Sequence, residues 1–275
     1  KIVDIPGTYS LIPHSEEEKV AVDYICSTDY DAVIVVCDAT CLERNMNLVL
    51  QILEVTNRVI LCINLMDEAK KKGIEIDIEK LKDMLKIPVV AITARSRKEL
   101  KKVVLALDFF APLEEAYFVK YPENIEKYIN ILSEEIFKIC HNKRFSRWAA
   151  INLLASKDTK QQDIIAKITA EDGEVKGIIE KVDTMQKELL EQNVTVERFN
   201  EIITICSVQT AGEICNKAVK EKNLPYSKKD RKLDKILTSK ITAYPIMLLM
   251  LIFIFWLTIE GANYPSKLIS NLFLW

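Results

Sequence analysis

The chain begins Lys1-Ile2-Val3-Asp4-Ile5-Pro6-Gly7, which we interpret as the end of a β-strand followed by a D-x-x-G turn. In phosphate-binding α/β folds, a carboxylate at such a strand end can hold Mg²⁺ through water. The glycine lets a backbone N–H approach a terminal phosphate. D-x-x-G alone is a weak signal, because two fixed residues in four recur by chance. The alternative is a strand that ends in an ordinary Pro-Gly turn.

Two further short motifs favour the phosphate-site interpretation. Asn64-Leu65-Met66-Asp67 follows the apolar run 59–63, and Thr93-Ala94 follows the run 88–92. These runs, and another at 32–37, are short, continuous and rich in β-branched residues. Such runs are typical of parallel strands that are buried on both faces.

Segments with helical periodicity separate the apolar runs. This alternation predicts a parallel sheet with right-handed crossovers, covered by helices on both faces. All three motifs then lie at the carboxyl ends of strands, the edge where open α/β sheets bind ligands. Chance matches would occur at either edge, so this coincidence is the strongest physical argument in the sequence. The predicted helices are 16–25, 45–56, 77–85 with Asp77 as its N-cap, and 98–110, and residues 70–73 are predicted to form a charged turn.

The residue types at this edge suit a guanine nucleotide. Guanine presents N1–H and N2–H₂ donors side by side, which one carboxylate, Asp67, can accept together and which adenine lacks. Asn64 would brace the loop and reach the purine N7, and the Ala94 N–H would donate to O6. Asp4 would hold Mg²⁺ through water, and the Gly7 N–H would meet the γ-phosphate. The predicted GTP-binding residues are Asp4, Ile5, Pro6, Gly7, Asn64, Leu65, Met66, Asp67, Ile92, Thr93 and Ala94; no catalytic residue is assigned.

The pattern changes after residue 112, where helical periodicity replaces the β-rich runs. Residues 113–222 are predicted to form an all-α domain, in which Cys206 and Cys215 pack on helix faces. A lysine-rich linker, 223–240, then leads into 19 uncharged residues, Ile241–Ile259. At a rise of about 1.5 Å per residue, this length nearly matches a hydrocarbon core of about 30 Å. We therefore predict a first transmembrane helix and the start of a membrane domain over 241–275, with a buried core helix as the alternative.

Charge and the content of cysteine and histidine indicate where the protein lies and which partners and kinds of site the sequence disfavours. The basic flank of the apolar segment predicts that residues 1–240 are cytoplasmic. A net charge of −2 argues against nucleic acid as the main partner. The seven cysteines are odd in number and show no C-x-x-C spacing, which favours a reducing compartment and argues against a zinc site. His14 and His141 are too few and too widely separated to suggest a catalytic pair.

The three motifs, in this order and about 60 and 30 residues apart, resemble the third, fourth and fifth motifs of Ras-like P-loop GTPases. More narrowly, residues 4–11 resemble switch II of FeoB-type ferrous iron transporters. Other stretches that agree with that family are 42–45, 147–154 and 233–238. The expected fold is therefore a Ras-like α/β sheet, truncated at its N-terminus, followed by an all-α domain and one transmembrane helix.

The resemblance implies a function and its partners. It implies a cytoplasmic GTPase that uses GTP and Mg²⁺, a helical spacer proposed to inhibit nucleotide release, and a multi-pass Fe²⁺ pathway in the bacterial inner membrane. Nucleotide state would gate iron uptake, with switch II, from Asp4 to about Ser15, pressing on the helical domain. The implied partners are GTP or GDP, membrane lipid, the rest of the membrane domain, a possible second copy and a small accessory protein. Iron ligands are expected in later membrane helices.

Some features depart from the Ras-like pattern. The sequence contains no G-x-x-x-x-G-K-[ST] phosphate loop and no switch I, which we expect to precede Lys1. Residues 1–275 should therefore bind GTP poorly by themselves. Leu65 stands where most Ras-like proteins have lysine, which predicts weaker nucleotide binding. Thr8 stands where they have a water-orienting glutamine, which predicts slow hydrolysis.

Two other functions stay open from the sequence. One is a soluble ribosome- or tRNA-associated GTPase, which would share the three motifs but lack the apolar segment. The other is a membrane-anchored binding module without enzymatic activity, in which the α/β domain is only a scaffold.

Overall fold

A computed structural model describes residues 1–7, 16–26, 30–111, 117–157, 159–168, 172–221, 237 and 239–261. The chain divides into two units, Lys1–Lys222 and Asn223–Trp275. The first unit contains an α/β part and a helical part that pack against each other. The second contains the apolar helix and is described by itself.

The α/β part is built on a parallel three-stranded sheet. Its strands are β1 (Val33–Asp38), β2 (Val59–Asn64) and β4 (Val89–Ala91), in the order β1-β2-β4. The helices of this part are α1 (Glu16–Cys26), α2 (Leu42–Val55), α3 (Met66–Lys72), α4 (Ile78–Leu85) and α5 (Arg97–Asp108). The three sequence-predicted strands and four helices are confirmed to within a few residues, and Asp77 caps α4 by accepting the Lys80 N–H.

Among the described residues, the helical part contains five helices. They are α6 (Glu123–Cys140), α7 (Lys143–Leu154), α8 (Thr159–Ile168), α9 (Asp172–Glu191) and α10 (Val196–Ala218). Helix α2 carries Met46, Val49, Leu50 and Leu53 at helical spacing, and all four are fully buried between the sheet and helices α7 and α10. Burying each such side chain contributes about 1.5–3 kcal/mol. The two parts therefore share one hydrophobic core.

Three sequence predictions about the α/β part are wrong. The strand end predicted before the D-x-x-G turn is absent: residues 1–7 have no regular structure and pair with no described strand. Residues 70–72 belong to α3 rather than to a turn, and the chain reverses only at Gly73, whose left-handed φ of 75° suits glycine. In β1, Ile34 and Val36 are exposed, because no described helix covers that face at this edge of the sheet.

The prediction that no strand follows residue 112 is also wrong. A short strand, β5 (Val219–Glu221), pairs antiparallel with β3 (Ile74–Ile76). The Asp77 N–H extends this pairing by donating to Ala218 O at 2.8 Å. The segment that leaves the helical part is therefore hydrogen-bonded to the α/β part.

The second unit contains α11 (Lys240–Trp256), which continues as a π-helix over Leu257–Gly261. Among the described residues, Thr242–Ile259 is a helical stretch long and apolar enough to cross a membrane, with a mean hydropathy of 2.2. This agrees with the helix predicted over 241–259. Most of the basic linker, residues 223–236, lies outside the described residues.

Candidate functional site

Asn64 joins two of the three predicted motifs at the carboxyl edge of the sheet. It ends β2, and the register places it beside Asp38 at the end of β1. Its Oδ1 accepts the backbone N–H of Leu65 at 2.8 Å and that of Ala94 at 2.9 Å. The loop after β2 and the loop after β4 are therefore fixed to each other by one side chain.

Backbone hydrogen bonds support the same arrangement. The Ile92 N–H donates to Ile63 O at 2.8 Å, and the Met66 N–H donates to Ile92 O at 3.3 Å. Leu65 adopts a left-handed backbone with φ 62°, which costs a non-glycine residue about 1–2 kcal/mol. Its carbonyl accepts the N–H groups of Glu68 and Ala69, each at 3.0 Å, so the first turn of α3 holds it in this conformation.

The carboxylate of Asp67 is held by Arg95. The Arg95 guanidinium donates to Asp67 Oδ2 and lies 3.6 Å from Glu68 Oε1. This hydrogen bond lowers the pKa of Asp67. The other carboxylate oxygen, Oδ1, is shielded from solvent and has no hydrogen-bond partner among the described residues. The proposed base-binding carboxylate thus has one oxygen bound by Arg95 and one oxygen shielded from solvent.

Glu99 fixes the loop that contains Thr93 and Ala94. Its Oε2 accepts the Thr93 N–H at 2.5 Å. Ser96 and Glu99 have the spacing of a capping box, but Ser96 makes no side-chain cap in α5. Neither Glu99 nor Arg95 is among the residues predicted from the sequence. The capping-box spacing and the arginine directly after Thr93-Ala94 were the available signals.

The Asp4-Ile5-Pro6-Gly7 segment is not hydrogen-bonded to the other two motifs among the described residues. Asp4 and Gly7 are exposed, and Ile5 and Pro6 are half-buried. A Cβ added at Gly7 would meet nothing within 4 Å, so no packing contact in this structure requires glycine there. One exposed carboxylate suits a water-mediated Mg²⁺ contact, because Mg²⁺ keeps several waters and takes few protein ligands. Thr8 and the rest of switch II to Ser15 lie outside the described residues.

The Ala94 N–H, predicted to donate to guanine O6, donates to Asn64 in this structure. A single N–H that donates to both Asn64 Oδ1 and guanine O6 would form a bifurcated hydrogen bond, in which each of the two contacts is weaker. Its contact with the base stays a prediction, as does that of Asn64 with N7.

A buried ionic cluster fixes the α/β part to the helical part. Glu54, near the end of α2, accepts the Val119 N–H at 3.0 Å and lies 3.2 Å from Arg147 of α7. Arg147 also contacts Glu126 of α6 at 2.6 Å. Burial raises the pKa of Glu54, and the charge of Arg147 opposes that effect. Arg144 adds to the contact by donating to the backbone carbonyl at the end of α2.

The described residues contain no group of three or more His, Cys, Asp or Glu side chains arranged to hold a metal ion. All seven cysteines are free thiols; Cys41 is exposed, and Cys37, Cys62 and Cys215 are buried. Cys206 and Cys215 lie in α10 as expected, partly and fully buried respectively.

The chain is similar in sequence to proteins of a known family. Residues 1–107 match the family model described as "Ferrous iron transport protein B", and residues 121–220 match that of the "FeoB cytosolic helical domain". The Fe(2+) transporter FeoB of Staphylococcus aureus strain COL is 29% identical over 269 residues, covering 96% of this chain and 39% of that protein. FeoB of Campylobacter jejuni is 37% identical over 153 residues, covering 52% of this chain and 25% of that protein.

The fold is also similar to solved structures. A point mutant of S. thermophilus NFeoB bound to GDP superposes with a TM-score of 0.64 at 27% identity, covering 79% of this chain and 80% of that one. This similarity confirms the Ras-like fold that the three motifs predict. The chain spans 39% of the length of the S. aureus relative.

Proposed function

The chain belongs to the FeoB family of ferrous iron transport proteins, and we propose that it is the GTP-binding part of a membrane Fe(II) transporter whose nucleotide state gates iron uptake. One observation supports this most strongly. Asn64 joins the loop that carries Asp67 to the loop that carries Ala94 at the ligand-binding edge of the sheet. Such an arrangement brings the loops that carry a carboxylate and a backbone N–H to one edge of the sheet, and recognition of a guanine edge uses both kinds of group.

In this proposal, guanine is selected by paired donors. Asp67 accepts N1–H and N2–H₂, and adenine, which offers no such pair, leaves a carboxylate unsatisfied. Asn64 acts mainly by positioning the two loops, with Leu65, Met66, Ile92 and Thr93 forming the surrounding backbone. The S. thermophilus protein bound to GDP is consistent with this assignment.

At the phosphate end, Asp4 would hold Mg²⁺ through water and the Gly7 N–H would meet the γ-phosphate. When bound, Mg²⁺ would neutralise charge that develops on the transferred phosphoryl group. Residues 1–275 contain no G-x-x-x-x-G-K-[ST] sequence, so we expect them to bind GTP weakly by themselves. Hydrolysis is proposed for the full-length protein and is expected to be slow.

Two structural links would carry nucleotide state toward the membrane. The first is the buried cluster around Glu54 and Arg147, which ties α2 to the helical part. The second is the β3–β5 pairing, because β3 follows α3, the helix that carries Asp67, by one residue. The strand β5 lies directly before the basic linker. A rearrangement at the base-binding loop therefore has a short hydrogen-bonded route to the segment that precedes the apolar helix.

We further propose that the protein is a multi-pass protein of the bacterial inner membrane with residues 1–240 on the cytoplasmic side. Fe²⁺ would be its transported substrate, and its partners would be membrane lipid, the rest of its membrane domain, a second copy and a small accessory protein. The apolar helix Thr242–Ile259 favours this over a soluble ribosome- or tRNA-associated GTPase. Alkaline carbonate should leave the protein in the membrane pellet, whereas a soluble GTPase would be released.

Iron uptake by the full-length protein in liposomes tests the function. We expect Fe²⁺ uptake with GTP on the cytoplasmic side, much less with ATP, and none with GDP alone. Asn130→Ala, an exposed change on α6, serves as a control that keeps uptake. Equal uptake with GTP and ATP, or uptake independent of nucleotide, would overturn the proposal. GTP binding without turnover would instead favour the membrane-anchored binding module.

A further inference from the structure

Arg95 occupies the carboxylate that the proposed function assigns to guanine. Its guanidinium donates to Asp67 Oδ2, with Glu68 as a second, more distant carboxylate. The Arg95 side chain is 70% exposed, whereas the Asp67 side chain is 28% exposed. Arg95 therefore holds a carboxylate that is itself partly exposed, and under the proposed function an incoming base would have to reach that same carboxylate.

The Arg95 guanidinium and the guanine base present the same kind of hydrogen-bond donors to a carboxylate. A guanidinium presents N–H groups on nitrogens that share one carbon, and guanine presents N1–H and N2–H₂ on nitrogens that share C2. Each fits a carboxylate through two parallel hydrogen bonds, as arginine–carboxylate pairs commonly do. Asp67 cannot accept both donor sets at once, because it has two oxygens and Arg95 already takes one of them.

Arg95 is not needed to hold the two loops together. The loops are already joined by the Ala94 N–H to Asn64 Oδ1 and by the Met66 N–H to Ile92 O. Glu99 separately fixes the Thr93 N–H. These contacts involve no atom of the Arg95 side chain, so removing that side chain leaves the loop arrangement in place.

We propose that Arg95 is an internal competitor of guanine: it binds Asp67 and must leave before the base can bind the same carboxylate. This inference rests on the proposed function, because it needs Asp67 to be the guanine-binding carboxylate. Its consequence is a lower affinity for guanine nucleotides than the same loops would otherwise have. Any guanine nucleotide must displace Arg95, so the same factor applies to GDP and GTP.

The effect should be modest, because the displaced contact is an exposed ion pair. Pairs of this kind shift an equilibrium by about a factor of two to five. In the full-length protein, Arg95→Ala should therefore tighten GDP binding by about two- to fivefold. Arg95→Lys keeps the charge but loses the planar fork, and should give a smaller gain. Arg97→Ala, an exposed arginine two residues away, removes the same charge and should leave the affinity unchanged.

A double-mutant cycle separates competition at Asp67 from other effects of Arg95. Asp67→Asn should switch the preference from GDP to xanthosine diphosphate, because the amide donates where the carboxylate accepted. In that background Arg95 has no carboxylate at position 67 to occupy. Adding Arg95→Ala should then leave the affinity for xanthosine diphosphate unchanged. Titration calorimetry or a fluorescent nucleotide gives the dissociation constants of the four proteins in the cycle: the unmodified protein, the two single variants and the double variant.

The outcomes distinguish the inference from the function on which it rests. Weaker or unchanged GDP binding by Arg95→Ala, together with a successful xanthine switch, would overturn the competitor role and leave the guanine assignment intact. An equal gain with and without Asp67→Asn would also overturn it. Failure of the xanthine switch itself would instead remove the guanine assignment.

Discussion

The buried carboxylate Glu54 gives the sharpest stability prediction. Its side chain is 6% exposed, and it accepts the Val119 N–H at 3.0 Å and pairs with Arg147 at 3.2 Å. Arg147 is itself only 11% exposed, so Glu54→Ala leaves a buried guanidinium with fewer partners and a buried N–H with none. Breaking a buried pair from one side costs about 3–5 kcal/mol. That is a large share of the roughly 5–15 kcal/mol that stabilises a typical domain.

The assay is denaturant unfolding of the chain in detergent, followed by the fluorescence of Trp148, which is buried next to Arg147. Replacing Trp256 and Trp275 with Phe makes Trp148 the sole reporter. Glu135→Ala is the matched control: Glu135 contacts two lysines, but the contacts are largely exposed and their loss should cost about 0–1 kcal/mol. Equal losses for the two variants would refute the reasoning, as would a loss below about 1 kcal/mol for Glu54→Ala.

Three further predictions concern the base-binding loops and the cysteines. Asn64→Ala removes the acceptor of two backbone N–H groups, so GDP affinity of the full-length protein should fall by about 5- to 150-fold, which binding titration checks. Arg95→Ala should raise the pKa of Asp67 toward the ordinary value of an aspartate, measurable by carboxyl NMR titration. The pKa of Asp67 is lowered in the folded protein, so its pair with Arg95 stabilises the fold at pH values above the ordinary pKa of an aspartate. That stabilisation is lost as the pH falls through the lowered pKa, and Arg95→Ala should therefore lose less stability over this range. With a thiol reagent at pH 8, exposed Cys41 should react first, whereas buried Cys37, whose pKa burial raises to about 12, should react only on unfolding.

The local features of the fold were predictable from the sequence. The β-branched runs form strands at the expected positions, and Asp77 begins its helix as a capping aspartate does. The strand end predicted before the D-x-x-G turn at residues 4–7 is wrong, because a strand depends on a partner that the pattern of one segment cannot reveal. The strand Val219–Glu221 was not predictable, because three residues with two charged side chains carry no hydrophobic alternation.

The contacts within the candidate site were less predictable. Signature residues Asn64, Asp67 and Ala94 are recognisable from their order and spacing, but Arg95 and Glu99 act through tertiary geometry. The ionic pair of Glu54 with Arg147 joins residues 93 positions apart, and each charge alone looks like part of a solvated helix face. Predicting which charged side chains form a buried ion pair requires knowledge of the tertiary packing, which local periodicity does not contain.

The base preference of Asp67→Asn in the full-length protein tests the guanine assignment most directly. If the loops after β2 and β4 bind guanine, this change should weaken GTP binding at least tenfold and strengthen binding of xanthosine triphosphate by a similar factor. A factor of roughly this size is expected because a buried polar group without its hydrogen-bond partner weakens binding. Unchanged GTP affinity, with no gain for the xanthine nucleotide, would contradict the claim that this edge of the sheet recognises guanine.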